Sequence, residues 1–188
     1  MKQQNDVGIE LRRAKVKDIP GLLGLINGYA SQQIMLPRTE FEMAENVRDF
    51  IVAYAGDRLV GCGALHFYSP TSAEVRSLAV DPSFKSGGIG RTIVEALERE
   101  ARDHDLESLF AFTYVPGFFR KLGFSEVERG ELPLKAWKDC LKCPKFTACD
   151  EIAMLKPLRP GATIESANRP IGIQLPTPAR PELIQLKH

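Results

Sequence analysis

The apolar positions of this chain follow two spacings, and each spacing predicts a kind of element. β-rich apolar runs bounded by turn residues predict strands over residues 9–15, 50–55, 59–68, 73–80, 108–114, 123–128 and 151–156. Apolar residues three and four apart predict helices over residues 18–28, 39–49, 88–104 and 117–122. The mixture of strands and helices along one chain indicates a single α/β domain.

The helix starts carry recognisable signals. Asp18 precedes Pro20 in the first predicted turn, so we expect its side chain to cap that helix. Thr39 and Glu42 have the spacing of a capping box, which predicts the start of the second helix. The long helix over 88–104 places one apolar face toward a sheet, formed by Ile89, Ile93, Val94, Leu97 and Ala101.

Composition changes this picture little but excludes several classes of protein. The 188 residues are 44% hydrophobic, which is enough to bury a core, and the formal net charge is +1. Without a basic cluster or a long apolar run, we expect no nucleic-acid partner and no membrane span. No signal-peptide pattern is visible at the N-terminus, so a cytoplasmic location is expected.

The character of the chain changes at Pro157. Six of the 13 prolines lie from this residue onward, with few aromatic residues to pack against. We therefore predict a folded domain over residues 1–158 and a proline-rich tail or arm over 159–188. An extended arm could reach a second subunit, which favours a homo-oligomer such as a dimer, and the alternative is a tail without fixed structure.

Three of the four cysteines cluster, at Cys140, Cys143 and Cys149. The first two have the spacing of a zinc knuckle, but a structural zinc needs four ligands. Cys62, Asp150 or a second chain would have to complete such a site. We instead expect reduced thiols packed beside Trp137 and Phe146, and predict no metal.

The strongest candidate for chemistry is the glycine-rich turn after the strand over 73–80. Small side chains let several backbone N–H groups converge on an anion at the start of the next helix. The turn lacks the spacing of a P-loop or of a Rossmann dinucleotide site. We therefore predict a phosphate cradle of another kind, formed by Lys85, Ser86, Gly87, Gly88, Ile89, Gly90 and Arg91.

The basic-x-x-Gly-x-Gly pattern of Lys85, Gly88 and Gly90 resembles the acetyl-CoA signature of the GCN5-related N-acetyltransferases. Residues 118–124, Phe-Phe-Arg-Lys-Leu-Gly-Phe, look like the second marker of that family. The resemblance implies an α/β (α+β) fold with a central mixed, mostly antiparallel sheet flanked by helices. It also implies acetyl-CoA as cosubstrate, with the pyrophosphate on the cradle and Phe118 and Phe119 on the far side of the coenzyme.

The resemblance further implies how the strand before the cradle is used. Leu78, Ala79 and Val80 would lie along the peptide-like pantetheine arm. A backbone N–H near Leu78 or Val80 would face the thioester carbonyl and stabilise the oxyanion. Leu78 is therefore a candidate catalytic position through its main chain.

A narrower resemblance concerns the acetyl acceptor. Residues 35–38, 74–80, 112–114, 118–119 and 132–144 together look like the short, kinase-less bacterial N-acetylglutamate synthases. This likeness implies acetylation of the α-amine of L-glutamate, the first step of arginine biosynthesis. Another small amine or amino acid, such as glutamine, is an alternative. A second alternative is a non-catalytic acyl-CoA-binding regulatory module. Phe119 occupies the position at which many acetyltransferases have a tyrosine that protonates the leaving thiolate.

The residue types agree with a carboxylate-bearing acceptor. Guanidinium groups suit carboxylates, so Arg38 and Arg76 are candidate substrate ligands and Lys121 is a weaker one. Glu74 shares a strand face with Arg76 and is the candidate general base, unless both lie on a solvated face.

At the end of the strand over 108–114, Thr113 and Tyr114 are expected to line the acceptor side. Thr113 could instead be a buried residue bonded to the backbone. Tyr114 is a candidate acid, unless the thiolate leaves unassisted. His66 and His104 show no partner pattern and are expected to be ordinary surface or edge histidines.

Overall fold

The computed structural model describes residues 8–132, 145 and 149–160. In these residues the chain forms seven strands and four α-helices. In order they are β1 (Ile9–Arg13), α1 (Ile19–Ala30), α2 (Glu40–Asn46), β2 (Phe50–Ala55), β3 (Arg58–Phe67), β4 (Ser72–Val80), α3 (Ile89–Asp103), β5 (Ser108–Thr113), α4 (Pro116–Arg120), β6 (Ser125–Glu126) and β7 (Ile152–Pro157).

The strands form one sheet in the order β1-β2-β3-β4-β5-β7-β6. Neighbouring strands are antiparallel, except for β4 and β5, which are parallel. The chain passes through α3 between these two strands, as a parallel connection requires. The predicted mixed, mostly antiparallel sheet flanked by helices is therefore confirmed.

Each face of the sheet buries its own apolar core. One core joins α3 to the sheet through Ile93, Val94 and Leu97. The other joins α1 and α2 to the opposite face through residues such as Leu22 and Met43. The two cores fix the helices relative to β4, which lies between them.

Two glycines in β3 let α3 lie close to the sheet. A Cβ atom on Gly61 would be 2.9 Å from Ile89 Cγ2, and one on Gly63 would be 2.8 Å from Ile93 Cγ2. Real Cβ atoms essentially never approach so closely. The absence of side chains at these two glycines therefore sets how closely α3 approaches the sheet. The glycine-rich turn lies at the N-terminus of this helix.

The structure corrects several predicted details. The second helix ends at Asn46 and continues as a 3-10 turn over Val47–Asp49, and β6 has only two residues. Asp18 does not cap α1, since its side chain makes no cap hydrogen bond there. Its carboxylate bonds to Arg12 and Tyr54 instead.

Some predictions fall on residues that the structure does not describe. The tail beyond residue 160, the segment around Trp137 and the thiols of Cys140 and Cys143 lie outside the described residues. No group of metal-binding side chains occurs among the residues that are described. Over the same residues, no helix is both long and apolar enough to cross a membrane.

Candidate active site

A cleft opens where β4 and β5 separate. The two strands pair only over Ser72–Ser108, Ala73–Leu109 and Glu74–Phe110. Beyond that point β4 stays paired with β3 and β5 with β7. The resulting cleft has a volume of about 990 Å³, and Glu74 lies at its apex.

A β-bulge shapes the β4 wall of this cleft. Ser77 has a left-handed φ of 52°, and the register with β3 shifts between the pairs Cys62–Ala79 and Ala64–Arg76. The extra residue reverses the alternation, so Leu78 contacts the α3 side of the sheet near Gly63. Glu74 and Arg76 precede the bulge and share the opposite face, as the sequence predicts.

The thiol of Cys62 lies beneath the bulge. Its Sγ donates to the Ser77 carbonyl oxygen at 3.5 Å. Burial raises the pKa of this thiol to about 12, so it remains protonated and can donate to the carbonyl. Cys62 thus satisfies a main-chain carbonyl at the bulge, where the register with β3 shifts.

Main-chain directions place two amides on the open side of β4. The Asp81 N–H donates to the Val60 carbonyl on β3, and Ala79 is the register partner of Cys62 on the same strand. Successive amides of an extended strand point to opposite edges. The N–H groups of Leu78 and Val80 therefore point away from β3, toward the cleft.

The glycine-rich turn closes one end of the cleft. Gly88 caps α3 with a φ of 80°, a conformation that favours glycine, and supplies no capping side chain. The first amides of α3 consequently have no acceptor within the helix and are available to an anion. Gly90 lies against Phe118, since a Cβ there would be 3.5 Å from the ring.

Tyr29 supports this end of the cleft, although sequence reasoning missed it. Its hydroxyl donates to the Val80 carbonyl at 2.6 Å, and its ring lies 5.2 Å from the Lys85 ammonium. The bond joins α1 to the end of β4. Tyr29 lies just beyond the predicted end of this helix at residue 28, whereas the observed helix continues to Ala30, so its role carried no sequence signal.

Positive side chains surround the other end of the cleft. The main chain of Arg38 is held by Asn27 of α1 through two hydrogen bonds of 2.8 and 3.0 Å. Arg76 is 3.4 Å from the Asn46 amide oxygen. Apart from Lys85 and Arg91 of the glycine-rich turn, the described cations that line the cleft are Arg38, Arg76, Lys121, Arg129 and Lys145, and the described carboxylates that line it are Glu74 and Glu151.

Thr113 and Tyr114 lie on the β5 side. The Thr113 hydroxyl is buried and accepts from the Val115 amide at 3.0 Å, so it lines the cleft and is also satisfied by the backbone. The Tyr114 hydroxyl lies 3.2 Å from the Lys145 ammonium. Desolvation raises the pKa of Tyr114, which keeps its hydroxyl protonated and able to donate.

Glu151 was also missed by sequence reasoning. It follows Asp150, directly before β7, and lines the cleft beside Arg129, which donates to the Cys149 and Glu151 carbonyls. Burial raises the pKa of the Glu151 carboxyl. Its position depends on the pairing of β7 with β5, which local sequence patterns do not reveal.

Phe119 is buried and packs edge-on against Phe118 and Phe124, with ring centroids 5.2 Å apart in each pair. It lines the cleft, and a phenylalanine side chain cannot donate a proton. Gly87 is the predicted cofactor-binding residue that does not line the cleft. The other predicted site residues do line it: Arg38, Glu74, Arg76, Leu78, Ala79, Val80, Lys85, Ser86, Gly88, Ile89, Gly90, Arg91, Thr113, Tyr114, Phe118, Phe119 and Lys121.

A sheet that separates between two parallel strands, with an anion-binding helix start at one end of the gap, is the arrangement that the resemblance to the N-acetyltransferases implies for acyl-CoA binding. Comparison with known proteins agrees with this class. The model of the acetyltransferase (GNAT) family matches residues 24–124, which is more than half of the chain. The chain belongs to the acetyltransferase (GNAT) family.

The chain is also similar to individual acetyltransferases. The uncharacterized N-acetyltransferase CT2212 of Chlorobaculum tepidum is 41% identical over 79% of this chain and 96% of its own. The amino-acid acetyltransferase of Mycobacterium tuberculosis is 39% identical over 63% of this chain and 69% of its own. The N-acetylglutamate synthase of Neisseria gonorrhoeae, solved with coenzyme A and N-acetyl-glutamate, superposes with a TM-score of 0.74 at 25% identity, over 82% of this chain and 36% of that longer one.

The predicted fold, enzyme class and cosubstrate are therefore confirmed. The protein is an N-acetyltransferase that uses acetyl-CoA.

Proposed function

We propose that this N-acetyltransferase transfers the acetyl group to the α-amine of L-glutamate. The observation that carries the proposal is the charge at the acceptor end of the cleft. Among the described residues that line the cleft outside the glycine-rich turn, five side chains are cationic and two are carboxylates. Glutamate brings two carboxylates and one ammonium group, which matches this excess of positive charge.

Glu74 and Arg76 are placed to receive the two kinds of group on the acceptor. Both lie on the same face of β4 and both line the cleft. Arg76 and Arg38 approach from the side of α1 and α2, and each can hold a carboxylate through paired N–H groups. Glu74 at the apex is then the carboxylate closest to the end of the strand pairing, where the amine would meet the thioester.

The reaction begins with removal of a proton from the acceptor ammonium, because only the neutral nitrogen can attack the thioester carbon. Glu74 takes this proton, directly or through a water molecule. Attack forms a C–N bond and places negative charge on the former carbonyl oxygen. The outward N–H groups of Leu78 and Val80 stabilise that oxygen.

Collapse of the tetrahedral intermediate breaks the C–S bond. Phe119 cannot donate a proton to the departing sulfur. Tyr114 retains its proton and lies on the β5 side of the same cleft. It is the described side chain best suited to protonate the thiolate, although a thiolate is also a competent leaving group near neutral pH.

An acceptor panel tests this function. Purified protein is incubated with acetyl-CoA and single amino acids, and release of the coenzyme A thiol is followed. We expect glutamate to give the highest kcat/KM. Glutamine should give a lower value because it lacks the side-chain carboxylate, and aspartate because its shorter side chain places that carboxylate at a different distance from the amine. Release with glutamine alone would replace the proposed substrate, and tight acetyl-CoA binding without release for any acceptor would indicate a non-catalytic module.

A further inference from the structure

The proposed base, Glu74, lies beside a histidine on the neighbouring strand. His66 on β3 is its direct antiparallel partner, so the two side chains lie on the same face. Directly opposed residues have Cβ atoms about 5 Å apart. His66 therefore lies behind Glu74 as seen from the cleft, where the sequence alone suggested an ordinary surface residue.

His66 has a second acidic neighbour. Its Nδ1 atom is 2.9 Å from Asp49 Oδ2, and both side chains are about one quarter exposed. A carboxylate at this distance favours the tautomer with the proton on Nδ1, which leaves Nε2 able to accept a proton. The ring also packs edge-on against Tyr68, with centroids 5.0 Å apart, which limits its rotation.

Asp49 also lies at a part of the surface away from the cleft. It lines a second cavity of about 400 Å³ together with Arg13, Arg48, Glu100 and His104. Glu100 and His104 belong to the C-terminal end of α3, whereas the acyl-CoA cleft lies at its N-terminal end. His66 therefore neighbours both Glu74 and a residue of this second cavity, which shares no described residue with the cleft.

We propose that His66 and Asp49 carry the proton from Glu74 out of the cleft to this second cavity. The inference rests on the proposed function, in which an ammonium group must lose a proton while acceptor and coenzyme fill the cleft. Acetylation of an ammonium group by a thioester yields an amide, a thiol and one released proton. That proton needs a route to water.

Each transfer along this route breaks one bond to hydrogen and forms another. The ammonium N–H bond breaks and Glu74 gains the proton. Glu74 passes a proton to His66 Nε2, directly or through water, and the imidazolium gives its Nδ1 proton to Asp49. Asp49 releases it to water in the second cavity, and the ring regains its first tautomer by exchange at its exposed edge. The other charged groups near this route are Arg76 on β4 and, in the second cavity, Arg13, Arg48 and Glu100.

The test uses substitutions that interrupt the route while leaving the cleft intact. For His66→Gln we expect kcat with glutamate to fall about tenfold or more, because proton removal becomes limiting, while KM for acetyl-CoA stays within twofold. Asp49→Asn should lower kcat in the same direction with His66 still present. His104→Gln, in the second cavity but off the route, is the matched control and should leave kcat unchanged.

A buffer series separates proton transfer from a structural role. In His66→Ala, added imidazole should restore kcat severalfold in proportion to its concentration, and the wild-type rate should not respond. Wild-type kcat in both His66→Gln and Asp49→Asn would overturn the relay. So would a loss of activity that imidazole does not restore, or one that appears mainly in the KM of either substrate. A wild-type protein that acetylates no amino acid would overturn the proposed function, and the relay with it.

Discussion

The Asp18 carboxylate is almost fully buried and is satisfied by three other residues. Arg12 donates two hydrogen bonds to it, at 2.7 and 2.9 Å. The Lys15 amide donates at 2.7 Å and the Tyr54 hydroxyl at 2.9 Å. The carboxylate thereby ties the end of β1 to the start of α1 and to β2.

The Arg12 guanidinium lowers the pKa of Asp18 well below its usual range. A folded-state pKa below the unfolded value of about 3.9 stabilises the protein fully above that pH. The contribution is lost as the pH falls further, toward the folded-state pKa. Acid unfolding should therefore begin below about pH 4, in part through this residue.

Asp18→Asn should lower the free energy of unfolding by about 3 kcal/mol at neutral pH, because Arg12 loses its buried partner. Urea unfolding at pH 7 and pH 3 measures the effect, and the difference between variant and wild type should shrink at the lower pH. Asp57→Asn in the exposed β2–β3 turn is the control. An equal loss of stability at both pH values would contradict the assigned role.

Asp18 and His66 show where sequence reasoning stops at the scale of residues. Each was assigned from its neighbours along the chain, Asp18 as a cap and His66 as a surface residue. Their actual partners include Tyr54, 36 positions away from Asp18, and Asp49, 17 positions away from His66. Such pairs are set by strand register, which a single sequence does not display.

At the scale of elements, β4 is the segment that the apolar pattern describes least completely. Its extent is predicted within one residue, at 73–80 against Ser72–Val80. The bulge at Ser77 was not predicted, because Ser-Leu-Ala-Val reads as an uninterrupted strand. The bulge matters chemically, since it separates the face that carries Glu74 and Arg76 from the stretch that presents Leu78 and Val80.

The close contact between α3 and β3 gives a test at this scale. Gly63→Ala places a methyl group 2.8 Å from Ile93 Cγ2, an atom on a stiff β-branched side chain. Overpacking of this kind should cost about 1–3 kcal/mol and displace the start of α3. We expect a lower Tm together with weaker acetyl-CoA binding.

Gly24→Ala in α1 is the matched control, because nothing lies within 4 Å of the added atom. It should raise stability slightly, since alanine favours a helix by about 0.5–1 kcal/mol over glycine. Unchanged stability and acetyl-CoA affinity in Gly63→Ala would show that the close approach of α3 to the sheet does not depend on this glycine.

For the molecule as a whole, the order of elements and the two family markers were enough to predict the fold, the enzyme class and acetyl-CoA as cosubstrate. The residues assigned to the acceptor stay predictions, and they do not include every charged residue that lines the cleft. Arg38, Arg76 and Glu74 were found from strand alternation and resemblance, whereas Glu151, Arg129 and Lys145 come from the pairing of β7 with β5 and its flanking segment. Long-range pairing of that kind leaves no periodic signal in the chain.

The central claim is that Glu74 acts as a base at the apex of the cleft. Its most direct measurement is the kcat of Glu74→Gln with glutamate, set beside the Kd for acetyl-CoA. We expect kcat to fall about 100-fold or more, with the Kd within twofold of the wild-type value, because the coenzyme is held at the other end of the cleft. Glu45→Gln, exposed on α2, should match the wild type. Wild-type kcat in Glu74→Gln would contradict the account.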